Sequence, residues 1–458
     1  MGKAARLAAV CTAVWALAAT AGPLAAADLP TDLPKATQQM LAAKHLDPAL
    51  LNGLDEELKM PPAWVEGAKK EKGLSIAGTW DPAQFNAFAR PFRERYPYIA
   101  LHYVRGSRFD RVTKPLLAFK EGRQTYDIIT GIGGEYSLLK DAGALENLSA
   151  IPNRKNVPAN MQQPDGWWVG QRLRYWCMSY NTDRVAKDAL PKTWDDVIGN
   201  PALSNGNLGM GDRPNLWLLP MWEDKGEAWV KSFAERLFAV NKPQLRKEGM
   251  NALIELAIAG EFNVSLPSAE YRTQQLRDKG APLSWHCPTP VPLTISEIVV
   301  MKGGHKNAAF MFIDWFLSKE GQIAQYAADY APPIHKDLQR REFLAFPDEI
   351  LNRPVALLDP SILESDLDKL MKIWEPLWYG GQGVKVREVK AALTSVDKNG
   401  RAIVFDVDGA PHKARIKGSG TRILIGGAEA EPSKLKAGQM CAITYPDNGD
   451  AAIRVECK

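Results

Sequence analysis

From Gly73 onward the chain alternates short apolar strands with amphipathic helices, and this alternation restricts it to a mostly parallel sheet covered by helices on both faces. Leu74-Ser75-Ile76-Ala77-Gly78 reads as a first strand and residues 81–96 as its helix. Residues 99–104 read as a second strand, followed by the turn Arg105-Gly106-Ser107 and a helix over 108–121. Asp127-Ile128-Ile129-Thr130 makes a third strand that ends in Gly131-Ile132-Gly133-Gly134. In such sheets ligands lie beyond the carboxyl ends of the strands. Loops 78–80, 105–108 and 131–136 therefore fall on one rim.

The pattern then repeats with a detour. A long strand over 167–180 leads to a second set of units, with strands at 207–211 and 262–266 and helices over 226–240, 247–258 and 268–278. Residues 283–287 are extended, and Pro288, Pro290 and Pro292 lead to a strand at 295–301 and a helix at 307–317. This is one α/β lobe inserted into another, joined by two extended crossings. Lobe 1 is expected over about 73–175 and 288–383, and lobe 2 over about 176–287.

The start of the chain has the layout of a secretory signal over residues 1–27. Lys3 and Arg6 precede an apolar run over 7–17, and Ala25-Ala26-Ala27 forms an A-x-A site. Export to the periplasm is expected. The remaining 55 basic and 53 acidic residues nearly balance, so charge offers no attraction to nucleic acid or to a membrane surface. Of the five cysteines, Cys11 leaves with the signal, and an even four remain in an oxidising compartment. Residues 28–72 read as a helical N-terminal extension. No G-x-S-x-G, H-E-x-x-H or C-x-x-C motif is present and the six histidines are scattered, so no enzyme, cofactor or metal centre is expected.

Tyr126-Asp127-Ile128, Tyr180-Asn181-Thr182, Lys279-Gly280-Ala281-Pro282, Met301-Lys302-Gly303-Gly304, Ala308-Ala309, residues 312–318 and Glu320-Gly321-Gln322 occur in this order over roughly 71–345. In that order and spacing the chain resembles the extracellular solute-binding proteins of ABC importers. The likeness is to the type II bilobed class that includes ferric-ion, polyamine and thiamine receptors. The resemblance implies a two-lobed periplasmic-binding fold over 73–383 and a monomeric receptor. Such a receptor captures a small-molecule ligand by lobe closure and meets the membrane only through the permease of an ABC importer. It also implies that the crossings run side by side, which would set Cys177 against Cys287.

The tail departs from that family. Residues 384–458 turn to period-two strands separated by Lys398-Asn399-Gly400, Asp408-Gly409 and Asp447-Asn448-Gly449, which are hairpin signals. A small β-barrel of the OB or SH3-like kind is expected. Cys441 and Cys457 lie about equally far from Asn448-Gly449, so a hairpin sets them opposite one another. A secreted interaction module acting through this barrel is the alternative from another functional class.

Candidate ligand contacts follow from loop position. Thr79 and Trp80 follow the first strand, with Trp80 an aromatic wall or a core residue. Gly106, Ser107 and Arg108 form the second rim loop, and Gly133, Gly134 and Glu135 the third. Glycine there lets backbone N–H groups approach an anion closely. Arg213 and Asn215 follow a strand of lobe 2, with Arg213 the leading cation and Arg105 and Arg272 in support. Glu270 and Tyr271 open the last cleft helix. Ferric-ion receptors of the family carry adjacent tyrosines near this point, and Glu270 stands where the first would be. A small organic anion or zwitterion is the expected ligand, and a ferric or other metal ion the alternative.

Overall fold

The computed structural model describes residues 32–107, 109–132, 136–360, 363–417 and 421–458, so the expected signal at 1–27 lies outside the described residues. Ten strands form the main sheet: β1 (Gly73–Gly78), β2 (Ala100–Arg105), β3 (Ile128–Thr130), β4 (Val169–Asn181), β5 (Leu208–Gly211), β6 (Gln244–Arg246), β7 (Val264–Ala269), β8 (Leu283–His286), β9 (Val291–Val300) and β10 (Val355–Leu358). Their order is β2-β1-β3-β9-β4-β7-β5-β6, with β10 beside β9 and β8 beside β4. The parallel trio β2-β1-β3 belongs to lobe 1 and the trio β7-β5-β6 to lobe 2.

β4 and β9 are the two crossings. The amino half of β4 pairs with β9 and its carboxyl half with β7 and β8, all antiparallel. All 13 residues of β4 are buried, as expected of a strand covered on both faces. The second crossing is longer than expected, since β9 takes in the prolyl stretch from Val291. The structure joins Cys177 of β4 to Cys287, with Cα atoms 5.2 Å apart and a sequence separation of 110.

Several expected elements are subdivided. The helix over 81–96 is two helices, Pro82–Phe88 and Arg90–Arg95, because Pro91 has no N–H to continue the first. The segment after β5 is a full helix, Pro214–Lys225, despite Pro220 inside it. Helix Leu363–Gly380 runs to within a few residues of the tail's first strand.

The N-terminal helices Lys35–Ala43, Leu54–Glu57 and Pro62–Glu71 are fastened to lobe 1 by buried or half-buried carboxylates. Glu71 accepts from Asn307 Nδ2 at 2.7 Å and from Ala308 N at 2.8 Å. Glu57 accepts from Lys319 N at 2.8 Å, and Glu320 accepts from Thr37 Oγ1 at 2.6 Å. Glu71 and Glu57 thereby cap the two lobe 1 helices Lys306–Phe316 and Lys319–Asp329, where a carboxylate also suits the helix dipole.

The tail forms a separate sheet of seven strands: β11 (Val386–Val396), β12 (Ala402–Val407), β13 (Ala410–Arg415), β14 (Arg422–Ile425), β15 (Ala428–Glu429), β16 (Met440–Pro446) and β17 (Arg454–Cys457). The order is β13-β12-β11-β16-β17-β14-β15, around a core that includes Leu393, Ile403, Phe405, Ile443, Tyr445 and Val455. Cys441 and Cys457 stand directly opposite on β16 and β17 and are joined. The sheet is tied to helix Leu363–Gly380 by the ion pair of Arg422 with Asp368 and to lobe 2 by Lys247 and Asp450 at 2.6 Å.

Candidate functional site

The lobe junction is built on β4. Arg172 and Arg174 lie two residues apart, so their side chains leave one face of the strand. Arg172 pairs with Ser296 and Arg174 with Thr294 across the ladder to β9, just before β4 passes to β7 at Trp176. Both guanidinium groups are buried and both donate to Oδ2 of Asp329, at 3.3 Å from Arg172 Nη1 and 2.7 Å from Arg174 Nη2. Asp329 closes helix Lys319–Asp329 of lobe 1 and is fully buried. Two cations therefore share one carboxylate oxygen away from water.

The surroundings act differently on the two cations. Burial and the charge of Arg174 bring Arg172 down to about 10, against the pull of Asp329. Arg174 is disfavoured by burial, yet Asp329, Tyr271 and Glu270 outweigh that and hold it above the ordinary arginine value. Like charges this close destabilise one another unless an anion lies between them.

Each lobe supplies a wall. On lobe 1, Thr79 Oγ1 accepts from Arg172 Nη2 at 2.7 Å, and the Arg172 guanidinium lies 5.6 Å from the centre of the Trp80 ring. On lobe 2, the Arg174 guanidinium lies 4.1 Å over the Tyr271 ring, a cation–π arrangement. Glu270 is fully buried, and its Oε2 accepts from Tyr175 N at 3.1 Å. Burial raises its carboxyl to about 7 despite Arg174 nearby. Its Oε1, Arg172 Nε, Thr130 Oγ1 and both polar atoms of the Gln171 amide are buried without a hydrogen-bond partner. Buried polar atoms rarely stay unsatisfied unless a water or a ligand meets them.

Several expected contacts are placed here and others are not. Thr79, Glu270 and Tyr271 meet the arginine pair. Trp80 is fully buried among Phe85, Phe88, Tyr103 and Phe316, so it is the core floor beneath Arg172 and does not wall an open cleft. The carbonyl of Gly106 accepts from Arg111 Nε at 3.1 Å, while Arg111 Nη1 donates to the carbonyls of Thr130 and Gly131. Arg111 thus staples two rim loops through their carbonyl oxygens. Ser107 donates its hydroxyl to Asp110 at 2.7 Å and caps its own turn. Arg213 stands exposed ahead of helix Pro214–Lys225, with Asn215 half-buried beside it, and the hydrogen bonds of the arginine–aspartate group reach neither. Arg105 faces Asp81 at 3.7 Å and Arg272 faces Glu255 at 2.9 Å. Among the described residues, Arg172 and Arg174 are the cations that donate to Asp329. Arg108, Gly133, Gly134 and Glu135 lie outside the described residues.

Among the described residues no group of three or more His, Cys, Asp or Glu is close enough to hold a metal ion. Tyr326 donates to the carbonyl of Glu342 at 3.0 Å and packs on Phe343. No helix of the described residues is long and apolar enough to cross a membrane.

Residues 124–348 match the profile of the family described as bacterial extracellular solute-binding protein. No curated protein matches the sequence. Among solved structures, the chain is similar to iron-bound HitA from Pseudomonas aeruginosa, at 20% identity over 67% of this chain and 99% of that one, with a TM-score of 0.56. It is similar to the Trichodesmium protein IdiA (FutA) in complex with iron and citrate, at 16% identity over 67% and 99% of the two chains and a TM-score of 0.56. A putative extracellular solute-binding protein from Bordetella parapertussis gives 18% identity, 67% and 98% coverage and the same TM-score. At these identities the structural likeness speaks to the fold, and the profile match to the family. With two crossing strands between two parallel trios, the chain has the fold of the solute-binding structures it is similar to, and its residues 124–348 match the bacterial extracellular solute-binding family.

Proposed function

We propose that this protein is a periplasmic receptor that closes its lobes on a small organic anion or zwitterion and hands it to the permease of an ABC importer. The observation that carries the reading is the buried pair Arg172 and Arg174 sharing the single carboxylate of Asp329. With Glu270 pushed toward its neutral form, the junction holds a surplus of positive charge. A guanidinium fork grips a carboxylate or phosphonate at two points, which gives orientation as well as attraction. The unpartnered Oε1 of Glu270 suits an ammonium group on the same ligand.

Ferric ion is the competing cargo, because two of the similar structures are described with bound iron. Two buried guanidinium groups beside Tyr271 oppose a trivalent cation there. Mass spectrometry of ligand released from freshly purified protein identifies the cargo. By calorimetry with that molecule, Arg174→Gln is expected to weaken binding by about 1.5–3 kcal/mol, the range for a bond to a charged group. Unchanged affinity, or binding that needs added ferric ion and is lost in Glu270→Ala, reverses the reading.

Residues 355–380 are assigned to lobe 2, since β10 pairs with the first residues of β9 and helix Leu363–Gly380 packs on helices Pro214–Lys225 and Glu227–Arg236. Residues 384–458 are read as a small barrel beside that lobe, supported by the bridge between Arg415 and Ala451 that draws the β13 edge toward β17. Its residues meet none of the arginine–aspartate group. A chain ending at Gly383 is expected to bind the released ligand within about tenfold of the full chain, or 1.4 kcal/mol. Loss of binding by a well-folded truncation gives the barrel a share in the site.

A further inference from the structure

Immediately after Asp329, the chain turns sharply. Tyr330 sits at φ +58°, the left-handed region that a tyrosine seldom occupies. The turn separates two neighbouring side chains: Asp329 enters the arginine pair, whereas Tyr330 leaves toward the molecular surface. There the Tyr330 hydroxyl donates to Asp278 Oδ2 at 2.6 Å. Asp278 ends helix Glu270–Arg277, the lobe 2 helix whose first residues are Glu270 and Tyr271. Lys44, at the end of N-terminal helix Lys35–Ala43, places its ammonium 3.6 Å from the centre of the Tyr330 ring. The charge of Asp278 also favours that ammonium, against the burial that lowers the Lys44 pKa.

Three separate parts of the chain thus meet at one point: the N-terminal extension through Lys44, lobe 1 through Tyr330 and lobe 2 through Asp278. We propose that Tyr330 and Asp278, backed by Lys44, form an interlobe clasp that sets how far the receptor rests in its closed form, and hence its affinity, from outside the ligand-contacting group. Tyr330 and Asp278 are positioning residues. The phenol–carboxylate bond exists only while the lobes are together, so its free energy adds to the closed state alone. The clasp shares two elements with the site, since helix Lys319–Asp329 ends in Asp329 and helix Glu270–Arg277 begins at Glu270. Anything that shifts either helix end is felt at both places.

The proposal rests on the receptor reading only for its consequence for affinity, and its test uses no ligand. Lys120 of lobe 1 and Glu235 of lobe 2 are exposed, and cysteines placed there carry nitroxide labels for pulsed dipolar distance measurement in the full-length mature protein. The parent is expected to show a population at the short separation. Tyr330→Phe removes one hydroxyl and keeps the ring beneath Lys44, and Asp278→Asn keeps the shape of an exposed side chain. Tyr330→Phe is expected to lower the ratio of closed to open molecules about five- to tenfold, the scale of one hydrogen bond that water also reaches, and Asp278→Asn, which keeps an acceptor oxygen and loses the charge, to lower it by a smaller factor. The double variant is expected to match Tyr330→Phe, because the bond that Asp278→Asn weakens is already gone. Lys44→Ala is expected to act in the same direction with a smaller shift. Unchanged distances in both Tyr330→Phe and Asp278→Asn, or a parent already centred on the long separation, overturn the clasp. Arg174→Gln failing to weaken ligand binding removes the anion reading and leaves this distance result standing.

Discussion

Replacing Asp329 with alanine is expected to lower the unfolding free energy by about 3–5 kcal/mol, the cost of leaving buried charge uncompensated. Asp329 is the shared partner of Arg172 and Arg174 at 3.3 and 2.7 Å, so its loss strips the counter-charge from both guanidinium groups at once. The burial and the repulsion from Arg174 that already bring Arg172 down to about 10 then act without the pull of Asp329. Urea denaturation followed by intrinsic fluorescence measures the loss, and Asp329→Asn separates charge from shape. A loss below about 1 kcal/mol for alanine would show that water reaches these groups freely. The same variant gives a second reading, since a carboxylate ligand binds beside the unmatched guanidinium groups and restores part of the stability by mass action.

Removing the bridge between Cys177 and Cys287 is expected to cost nearly as much. The two cysteines are 110 residues apart, and closing a loop of that length constrains the unfolded chain by somewhat less than about 5 kcal/mol on the chain-entropy model. The bridge between Cys441 and Cys457 spans only 16 residues and contributes about 3 kcal/mol on the same scale. Titration of the denatured, unreduced mature chain is expected to find no free thiol. Cys177→Ser combined with Cys287→Ser is expected to shift the denaturation midpoint of the two-lobed part and to leave the C-terminal sheet unchanged. Two free thiols, or a double variant within about 1 kcal/mol of the parent, would sink the expectation.

Most of the sheet was legible because each strand leaves a local mark. The apolar runs at 74–78, 127–130 and 207–211 end in glycine or a turn, and the observed strands agree with them to within about two residues. The three- and four-residue edge strands β6 and β10 left no mark, since segments so short carry no periodicity. Helix Pro214–Lys225 was hidden by Pro214 and Pro220, which read as breakers. The site was less legible. Loops were expected to carry the ligand contacts, and Thr79, Glu270 and Tyr271 do lie at the junction. The two arginines were overlooked because they sit inside a run of tryptophan, tyrosine and leucine that reads as buried strand. A pair of arginines two residues apart in such a run was the available signal: buried arginine needs a partner. The partner itself was beyond reach, because Asp329 is 155 residues from Arg174 and nothing local links them.

The two appendages of this chain are anchored on opposite lobes. Glu57, Glu71 and Glu320 bind the N-terminal helices to lobe 1, whereas Asp368 and Lys247 hold the C-terminal sheet to helix Leu363–Gly380 and lobe 2. Any rotation about the crossing strands therefore swings one appendage against the other like the arms of a pair of dividers. The distance an arm sweeps grows with its radius from the pivot, so a small angle at the arginines becomes a larger displacement at the far sheet. On the proposed lobe closure, the separation of the two appendages would report the state of a candidate site that is itself buried.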